Sequence, residues 1–259
     1  MEKFYNFVEI VRKLRRECPW DREQTHQSLR RCLLEETYEV LEAIDTNDID
    51  ELKKELGDLI LQVVFHSIIA EENNIFNIEE VLDIEIKKLI SRHPHIFADV
   101  KVSGSDEVKK NWESIKKKEG RKSVLDGVPK ELPALFRAYR IQEKASKVGF
   151  DWNDIEPVFE KILEEISELK NVITQKKHNS GENAQYVNEL ENEFGDMLFA
   201  LVNYARFLKI NPEDALRKTI EKFIFRFNII EKYAEENNLD LKDISLEQMD
   251  KIWNESKLL

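Results

Sequence analysis

The chain has 259 residues, of which 41% are hydrophobic and 36% are charged, enough for one large or two ordinary domains with a highly charged surface. Its net charge of −12 argues against general binding to nucleic-acid phosphates, which basic surfaces perform. Its 7 glycines and 6 prolines favour long helices over a many-stranded sheet, and the lack of a run of 18 apolar residues argues against a membrane-spanning helix.

Apolar residues recur at helical spacing through most of the chain, and turn residues or prolines separate the periodic stretches. In the first half, the predicted helices are 1–16, 28–45, 49–72, 78–92 and 106–118. In the second half, they are 133–147, 155–175, 184–209, 212–236 and 246–257. We find no convincing strand, so the predicted fold class is all-α.

The N-terminal helix carries charges throughout and lacks the apolar segment of a signal peptide. The cysteines, Cys18 and Cys32, form no paired framework and are expected to be free thiols in a reducing compartment. The sequence therefore predicts a cytoplasmic protein without a membrane partner.

An internal repeat relates the two halves of the chain. The stretch from Gly120 to Pro133 resembles a hinge, so we place the domains at 1–120 and 121–259. Four motifs match in order: Pro19-Trp20-Asp21 with Phe150-Asp151-Trp152, LLEETYE (33–39) with ILEEISE (162–168), ELGDLI (55–60) with EFGDML (193–198), and Lys88-x-x-x-Arg92 with Lys222-x-x-x-Arg226. Four ordered matches indicate a tandem duplication.

Each half contains five carboxylates in the pattern E-E-x-x-E…E-x-x-D. In the second half these are Glu164, Glu165, Glu168, Glu193 and Asp196. In the first half they are Glu35, Glu36, Glu39, Glu55 and Asp58. If the two helices of each half pack antiparallel, the five carboxylates can converge on divalent metal ions.

Glu165 occupies a position that would otherwise be apolar. At 100° per residue it shares a helix face with Val158, Ile162, Leu169 and Val172. A carboxylate in an apolar stripe is costly without a cation or another partner. Oxygen ligands favour Mg²⁺, Mn²⁺ or Ca²⁺ over zinc. Glu164 and Glu35 remain either ligands or exposed helix charges. Gly57 and Gly195, beside the second acidic pair of each half, are predicted to allow close helix packing.

Lys222 and Arg226 lie one turn apart and so share a helix face, where they suit phosphate oxygens. The alternative for both is a solvated helix surface. Trp253 is either a core residue or a platform on which a base stacks.

Histidines offer a second, weaker metal hypothesis. His93 and His95 suggest zinc, but no further ligand completes a set, so packing at a helix end is preferred. The sequence Glu23-x-x-His26 occurs once and off the carboxylate helices, which argues against a di-metal redox bundle. There is also no P-loop and no HExxH motif.

These residues resemble the MazG family of nucleoside triphosphate pyrophosphohydrolases. The resemblance covers nearly the whole chain and includes both acidic motifs, RHPHIF (92–97) and VGFDW (148–152). It implies two tandem helical domains, each with a four-helix-bundle-type core, a homodimer, and a Mg²⁺-dependent enzyme for which Mn²⁺ is a possible substitute. The implied reaction is attack of water on a (d)NTP, which releases a nucleoside monophosphate and pyrophosphate. Housecleaning of the nucleotide pool is a family-level expectation.

The resemblance also implies roles for individual residues. Glu165, Glu168, Glu193 and Asp196 look like metal ligands, with a weaker second site at Glu36, Glu39, Glu55 and Asp58. The implied catalytic residues are Glu164, Glu165 and Glu168, and either Glu165 or Glu164 is the candidate general base. Lys161, Lys222 and Arg226 look like triphosphate contacts. Asn203 and Arg206 either reach the sugar or phosphate or lie at the surface, and Trp253 completes the candidate substrate-binding residues.

The first half lacks three polar groups of the second. Its alignment places Cys32 opposite Lys161, Phe65 opposite Asn203, and Ile68 opposite Arg206. We therefore expect the C-terminal domain to do most of the catalysis. The alternative function is a noncatalytic helical regulator that binds nucleotides or a partner protein through the degenerate half.

Overall fold

A computed structural model describes residues 2–105, 107–108, 111–112, 115, 123–176 and 184–258, without the side chains of residues 175 and 176. It divides into two compact units, Met1–Glu119 and Gly120–Leu259. The predicted boundary between residues 120 and 121 lies outside the described residues, as does much of the helix predicted over 106–118.

Six helices of the first unit are described over their full length, and the described residues 105, 107–108, 111–112 and 115 are also helical. Four are long and two are single short turns that begin with a proline. Their bounds are α1, Glu2–Glu17; α2, Pro19–Glu23; α3, Arg30–Thr46; α4, Ile49–Glu72; α5, Ile78–Arg92; and α6, Pro94–Phe97.

Helix α4 is the centre of the first unit and packs against α1, α3 and α5. Its C-terminal half contributes Val64, Phe65 and Ile68 to a core that also contains Val8 and Val11 of α1. A local signal in the sequence fixes its N-terminal end. The Asp48 carboxylate accepts hydrogen bonds from the backbone N–H groups of residues 50 and 51, which helix geometry leaves unpaired.

The described residues of the second unit form five α-helices and two short 3₁₀ helices. The α-helices are α7, Ala134–Ser146; α8, Glu156–Lys176; α9, Ala184–Phe207; α10, Pro212–Glu236; and α11, Leu246–Glu255. The 3₁₀ helices are Leu241–Asp243 and Ser256–Leu258.

Helices α8 and α9 pack along their length, and α7 lies against α9 and α10. The pair is antiparallel: Glu165 of α8 meets Asp196 of α9, while Val158 shares a cavity wall with Asn203. This direction brings the first acidic motif of the unit against the second. Packing against α7 then adds a third wall beside the carboxylates.

The all-α prediction is confirmed, because every regular element of the described residues is a helix. The long helices lie within a few residues of their predicted bounds. Helices α2 and α6 were not predicted, because a proline normally marks a break. Here each proline occupies the first helical position, where its missing N–H is not needed. Within the described residues, no helix has both the length and the apolar character that crossing a bilayer requires.

The histidine motif packs at a helix end, which is the alternative favoured over a zinc site. The His93 ring lies 5.7 Å from His95 and 5.5 Å from Trp112, measured between ring centroids. Its Nδ1 lies 2.7 Å from the carbonyl oxygen of Leu89. In the described part of the chain, neither histidine belongs to a group that could hold a metal ion.

The close helix packing predicted at Gly57 and Gly195 is wrong for the described residues. A Cβ at either position would meet no heavy atom within 4 Å beyond its own helix and its chain neighbours. Both glycines therefore lie inside helices with open space in front of them.

We expect Gly57→Ala and Gly195→Ala each to increase the free energy of unfolding by about 0.5–1 kcal/mol, because alanine restricts the unfolded chain and fits a helix. Thermal unfolding measures the effect. Gly149→Ala is the matched control with the opposite sign, because Gly149 has a φ of +89°, which strains alanine. A loss of stability in Gly57→Ala would show that another surface packs closely there.

Candidate active site

The apolar face predicted for α8 exists and contains a buried carboxylate. Val158 and Ile162 are buried, and Glu165 is only 6% exposed although it can carry a charge. Glu164 and Glu168, on neighbouring faces of the same helix, are exposed. The helix therefore places Glu165 against its neighbours and leaves the other two glutamates at the rim.

Glu165 meets two carboxylates of α9. Among the described residues, Glu165, Glu193 and Asp196 form a group whose ligand atoms lie within 4.8 Å of one another. Glu168 is outside this trio, but its charge reaches Glu193. Burial, Glu168 and Asp196 together raise the pKa of Glu193 above its ordinary value. The structure thus brings together three of the four predicted ligands and keeps the fourth nearby.

Lys161 partly neutralises this cluster. Its Nζ lies 2.8 Å from Oε1 of Glu165 and 2.9 Å from Oε1 of Glu164. These two carboxylates raise the pKa of Lys161, so its ammonium stays charged at neutral pH. Without another cation, Lys161 is the positive charge bound to the buried member of the trio.

A cavity of about 460 Å³ opens beside the trio within the second unit. Glu165, Asp196 and Lys161 line its acidic end. Ile141, Val158, Phe199 and Ala200 supply apolar walls, and Phe150 and Trp152 of the loop before α8 complete it. The cavity thus joins a charged end to an apolar body, an arrangement typical of small-molecule sites.

Asn203 and Arg206 also line the cavity. Asn203 is 7% exposed and the Arg206 side chain 13% exposed, so neither is a surface residue. Arg206 donates from Nε to Oδ1 of Asn203 at 2.9 Å and forms two hydrogen bonds, of 2.9 and 2.5 Å, with the Asp151 carboxylate. Arg206 therefore ties the loop before α8 to α9 and fixes the Asn203 amide.

The other predicted substrate contacts lie elsewhere in the same unit. Lys222, Arg226 and Trp253 are not among the residues that line the cavity. The Trp253 ring lies 5.1 Å from the Phe223 ring and 5.6 Å from the Arg226 guanidinium carbon, measured to ring centroids. Trp253 thus packs between α10 and α11, and Lys222 is exposed. A single chain does not bring these three residues to the cavity.

The first unit has a related acidic trio with a different third member. Glu36, Glu39 and Glu55 lie within 4.8 Å of one another, whereas Asp58 is outside the group. Burial, the neighbouring Glu51 and the charges of Glu39 and Asp58 raise the pKa of Glu55 to about 7. Burial and Asp58 also raise the pKa of Glu36.

The two trios differ more in the residues around them than in their own residues. Phe65 and Ile68, which correspond to Asn203 and Arg206, belong to the hydrophobic core of the first unit, and Cys32 packs against that core. The positions that line the cavity in the second unit are therefore occupied by packed apolar side chains in the first.

Both trios fit a hard divalent cation. All their donors are carboxylate oxygens, which Mg²⁺, Mn²⁺ and Ca²⁺ prefer. Oxygens that share such an ion lie within about 4–5 Å of one another, because each metal–oxygen bond is about 2.0–2.6 Å long. Burial first, and then the neighbouring carboxylates, raise the pKa values of Glu193, Glu36 and Glu55, and a bound cation would favour the charged forms of all three.

The profile of the MazG nucleotide pyrophosphohydrolase domain matches residues 24–97 and 154–231. The chain belongs to the MazG family. The "Nucleoside triphosphate pyrophosphohydrolase/pyrophosphatase MazG" of Thermotoga maritima is 46% identical over 98% of this chain and 95% of its own length. The "Nucleoside triphosphate pyrophosphohydrolase" of Escherichia coli K12 is 41% identical over 99% of this chain and 98% of its own length. The protein YabN of Bacillus subtilis is 48% identical over 98% of this chain and 52% of its own length.

The two MazG segments each contain one acidic trio, so the duplication inferred from the motifs is a repeat of the MazG domain. Several cavity residues lie outside both segments, among them Gln142 and Asp151. Gln142 belongs to none of the sequence motifs, because a lone glutamine in an amphipathic helix gives no signal. Asp151 is part of a repeated motif, but only the fold pairs it with Arg206.

Proposed function

We propose that the C-terminal MazG domain hydrolyses (d)NTPs to (d)NMPs and pyrophosphate with a divalent cation held by Glu165, Glu193 and Asp196. The observation that carries this proposal is the buried carboxylate trio at one end of a cavity with apolar walls. A triphosphate requires cations at one end, and a nucleoside requires an apolar, base-sized space at the other. The second unit supplies carboxylates that can hold such a cation and, where α7, α8 and α9 meet, a cavity with apolar walls.

Family membership makes the chain a nucleoside triphosphate pyrophosphohydrolase. The Mg²⁺ requirement, with Mn²⁺ as a substitute, is our proposal and is supported by the all-oxygen donor set. When bound, the cation neutralises charge on the phosphate oxygens and makes water more acidic. Action on deoxyribonucleotides, a cytoplasmic location and a role in cleaning the nucleotide pool are also proposals, drawn from the family resemblance.

The chain's own groups then have separate tasks. The carboxylate of Glu165 or Glu164 accepts a proton from the attacking water. The water oxygen forms a bond to phosphorus as the α–β phosphoanhydride bond breaks, and pyrophosphate leaves. Lys161 lies within reach of both glutamates and offers its ammonium to phosphate oxygens. Glu168, at the exposed rim, supplements the trio.

The two trios have different surroundings, which supports the proposal that the C-terminal domain does most of the catalysis. The N-terminal trio lacks counterparts of Lys161, Asn203 and Arg206, whose positions are part of the hydrophobic core or packed against it. We propose that this domain binds a cation or nucleotide weakly, or serves stability and assembly.

A homodimer is part of the proposal. Helix α10 exposes Ile220, Phe223 and Ile224 on one face, each at least 44% accessible. Such an apolar face on one helix is typical of a surface that a second copy covers. The pairing offers a route for Lys222, Arg226 and Trp253 to approach a substrate bound in the other copy.

Product analysis tests the proposed function. We expect the purified chain to convert ATP or dATP into the nucleoside monophosphate and pyrophosphate with Mg²⁺, and EDTA to remove the activity. Excess Mg²⁺ added after EDTA is the control and should restore turnover. Nucleotide binding without any product would favour the noncatalytic regulator, and orthophosphate as the first product would indicate a different bond.

A further inference from the structure

A turn that precedes α7 forms part of the cavity wall. It comprises residues 123–127 of the second unit, and Leu125 is among the residues that line the cavity. Leu125 is 44% exposed, so much of its apolar surface is available to a ligand. The turn lies outside both segments that match the MazG domain, so the family profile does not include this part of the wall.

Hydrogen bonds within the turn give it a defined shape. The backbone N–H of Ser123 donates to Oδ2 of Asp126 at 2.8 Å, and the backbone N–H of Asp126 donates to the carbonyl oxygen of Ser123 at 3.2 Å. The backbone N–H of Leu125 donates to Oγ of Ser123, also at 3.2 Å. These bonds shape the turn locally, and its attachment to the rest of the unit needs contacts from elsewhere in the chain.

Lys144 of α7 supplies such a contact. Its Nζ donates to the backbone carbonyl oxygen of Asp126 at 2.8 Å and to that of Val124 at 3.4 Å. Lys144 is 7% exposed, and a buried ammonium is costly unless hydrogen bonds satisfy it. Ile141 and Ala145, its neighbours on α7, line the cavity. Lys144 therefore ties the turn to the helix that forms this wall.

The two carbonyl groups that Lys144 binds lie on either side of Leu125 in the chain. The backbone is thus held both before and after this residue, while its side chain stays partly exposed in the cavity wall. A group that is held in place before binding loses little freedom when a ligand arrives. This arrangement suits a residue that contacts a ligand.

We propose that Leu125 packs against the nucleoside of a (d)NTP bound in the cavity and that Lys144 is the positioning residue that holds it there. This inference rests on the proposed function. The triphosphate is assigned to the acidic end, so the apolar contacts of the cavity are left for the base and the sugar. The side chain of Leu125 has no hydrogen-bonding group, so its contact favours no particular base.

Val124 allows a matched comparison, because it is 41% exposed in the same turn but is not among the residues that line the cavity. We expect Leu125→Ala to lower kcat/KM for ATP with Mg²⁺ about 5- to 10-fold, mainly through KM, since part of an apolar contact is lost. Val124→Ala should keep kcat/KM within about 2-fold of wild type, as exposed substitutions usually do. Both residues are exposed, so neither variant endangers the fold.

Lys144→Met keeps the length of the side chain and removes its donors. We expect a loss in kcat/KM similar to that of Leu125→Ala, and no larger loss in the double variant, because both changes remove one contact. Hydrogen exchange gives a second measurement. The nonhydrolysable α,β-methylene-ATP with Mg²⁺ should slow exchange of the backbone amides of residues 125 and 126 in the wild-type chain. Lys144→Met should speed their exchange without nucleotide.

The outcomes separate this inference from the proposed function. If the wild-type chain forms no AMP and pyrophosphate, the proposed function fails. If it forms both but Leu125→Ala keeps its kcat/KM, or Val124→Ala loses as much, the function stands and the contact with Leu125 is wrong. Unchanged exchange on nucleotide binding would overturn the contact as well. If the losses of Lys144→Met and Leu125→Ala multiply in the double variant, Lys144 does not act through Leu125.

Discussion

Glu165→Gln should lower kcat for nucleotide hydrolysis by more than about 100-fold, since changes even beyond the direct metal ligands commonly cost 10- to 100-fold. Glu165 is the buried member of the carboxylate trio and the partner of Lys161, so its charge serves both the cation and the lysine. Glutamine keeps the shape and removes the charge. Steady-state release of pyrophosphate across a range of Mg²⁺ concentrations measures the loss.

Glu36→Gln is the matched control, because Glu36 occupies the equivalent position of the N-terminal repeat. We expect this variant to keep most of the turnover, since its trio lacks the polar cavity residues. The reverse result, in which Glu36→Gln loses turnover and Glu165→Gln keeps it, would show that the N-terminal domain is the principal active site.

Arg206→Met should lower kcat/KM by more than about 10-fold and the free energy of unfolding by about 2 kcal/mol. Breaking a buried ion pair costs about 3–5 kcal/mol, and we reduce this value because a quarter of Asp151 is exposed. The substitution frees the loop before α8 and releases the Asn203 amide. Enzyme kinetics and thermal unfolding measure the two effects.

The double variant Asp151→Asn with Arg206→Met should cost less stability than the sum of its single changes, because the two residues share one interaction. The exposed pair of Lys53 and Asp50 provides a control, and Asp50→Asn should change stability by less than about 0.5 kcal/mol. Additive costs at Asp151 and Arg206 would contradict the role of this pair as the anchor of the loop.

The two changes are expected to have different kinetic signatures. Glu165→Gln removes charge from the site where the reaction occurs, and so acts mainly on kcat. Arg206→Met disturbs the walls of the cavity, and so acts largely on KM. The contrast separates chemistry at the acidic end from binding in the apolar body of the cavity.

Much of the site was predictable from local patterns. The face of α8 that contains Val158, Ile162 and Glu165 follows from helical spacing alone, and the structure buries all three. The recurrence of the acidic motif then indicated two metal-binding candidates. Such inferences succeed because a helix fixes the directions of its side chains from their sequence separation.

Other predictions depended on packing that the local pattern does not contain. The close contacts expected at Gly57 and Gly195 are missing among the described residues, because a glycine permits close approach without requiring it. The trios also differ in membership, with Asp196 in one and Glu39 in the other. Small differences in how two helices meet decide which carboxylate points inward.

The sequence by itself determined the all-α class, the duplication, the buried position of Glu165 and the acidic character of each site. Only the tertiary structure placed Gln142 and Asp151 in the wall of the same cavity as these carboxylates, and Trp253 in a separate packing cluster. The reason is physical: helical periodicity is set by neighbouring residues, whereas a cavity forms where α7, α8 and α9 meet. The residues that line it are distant in sequence, and their contacts depend on how the helices pack.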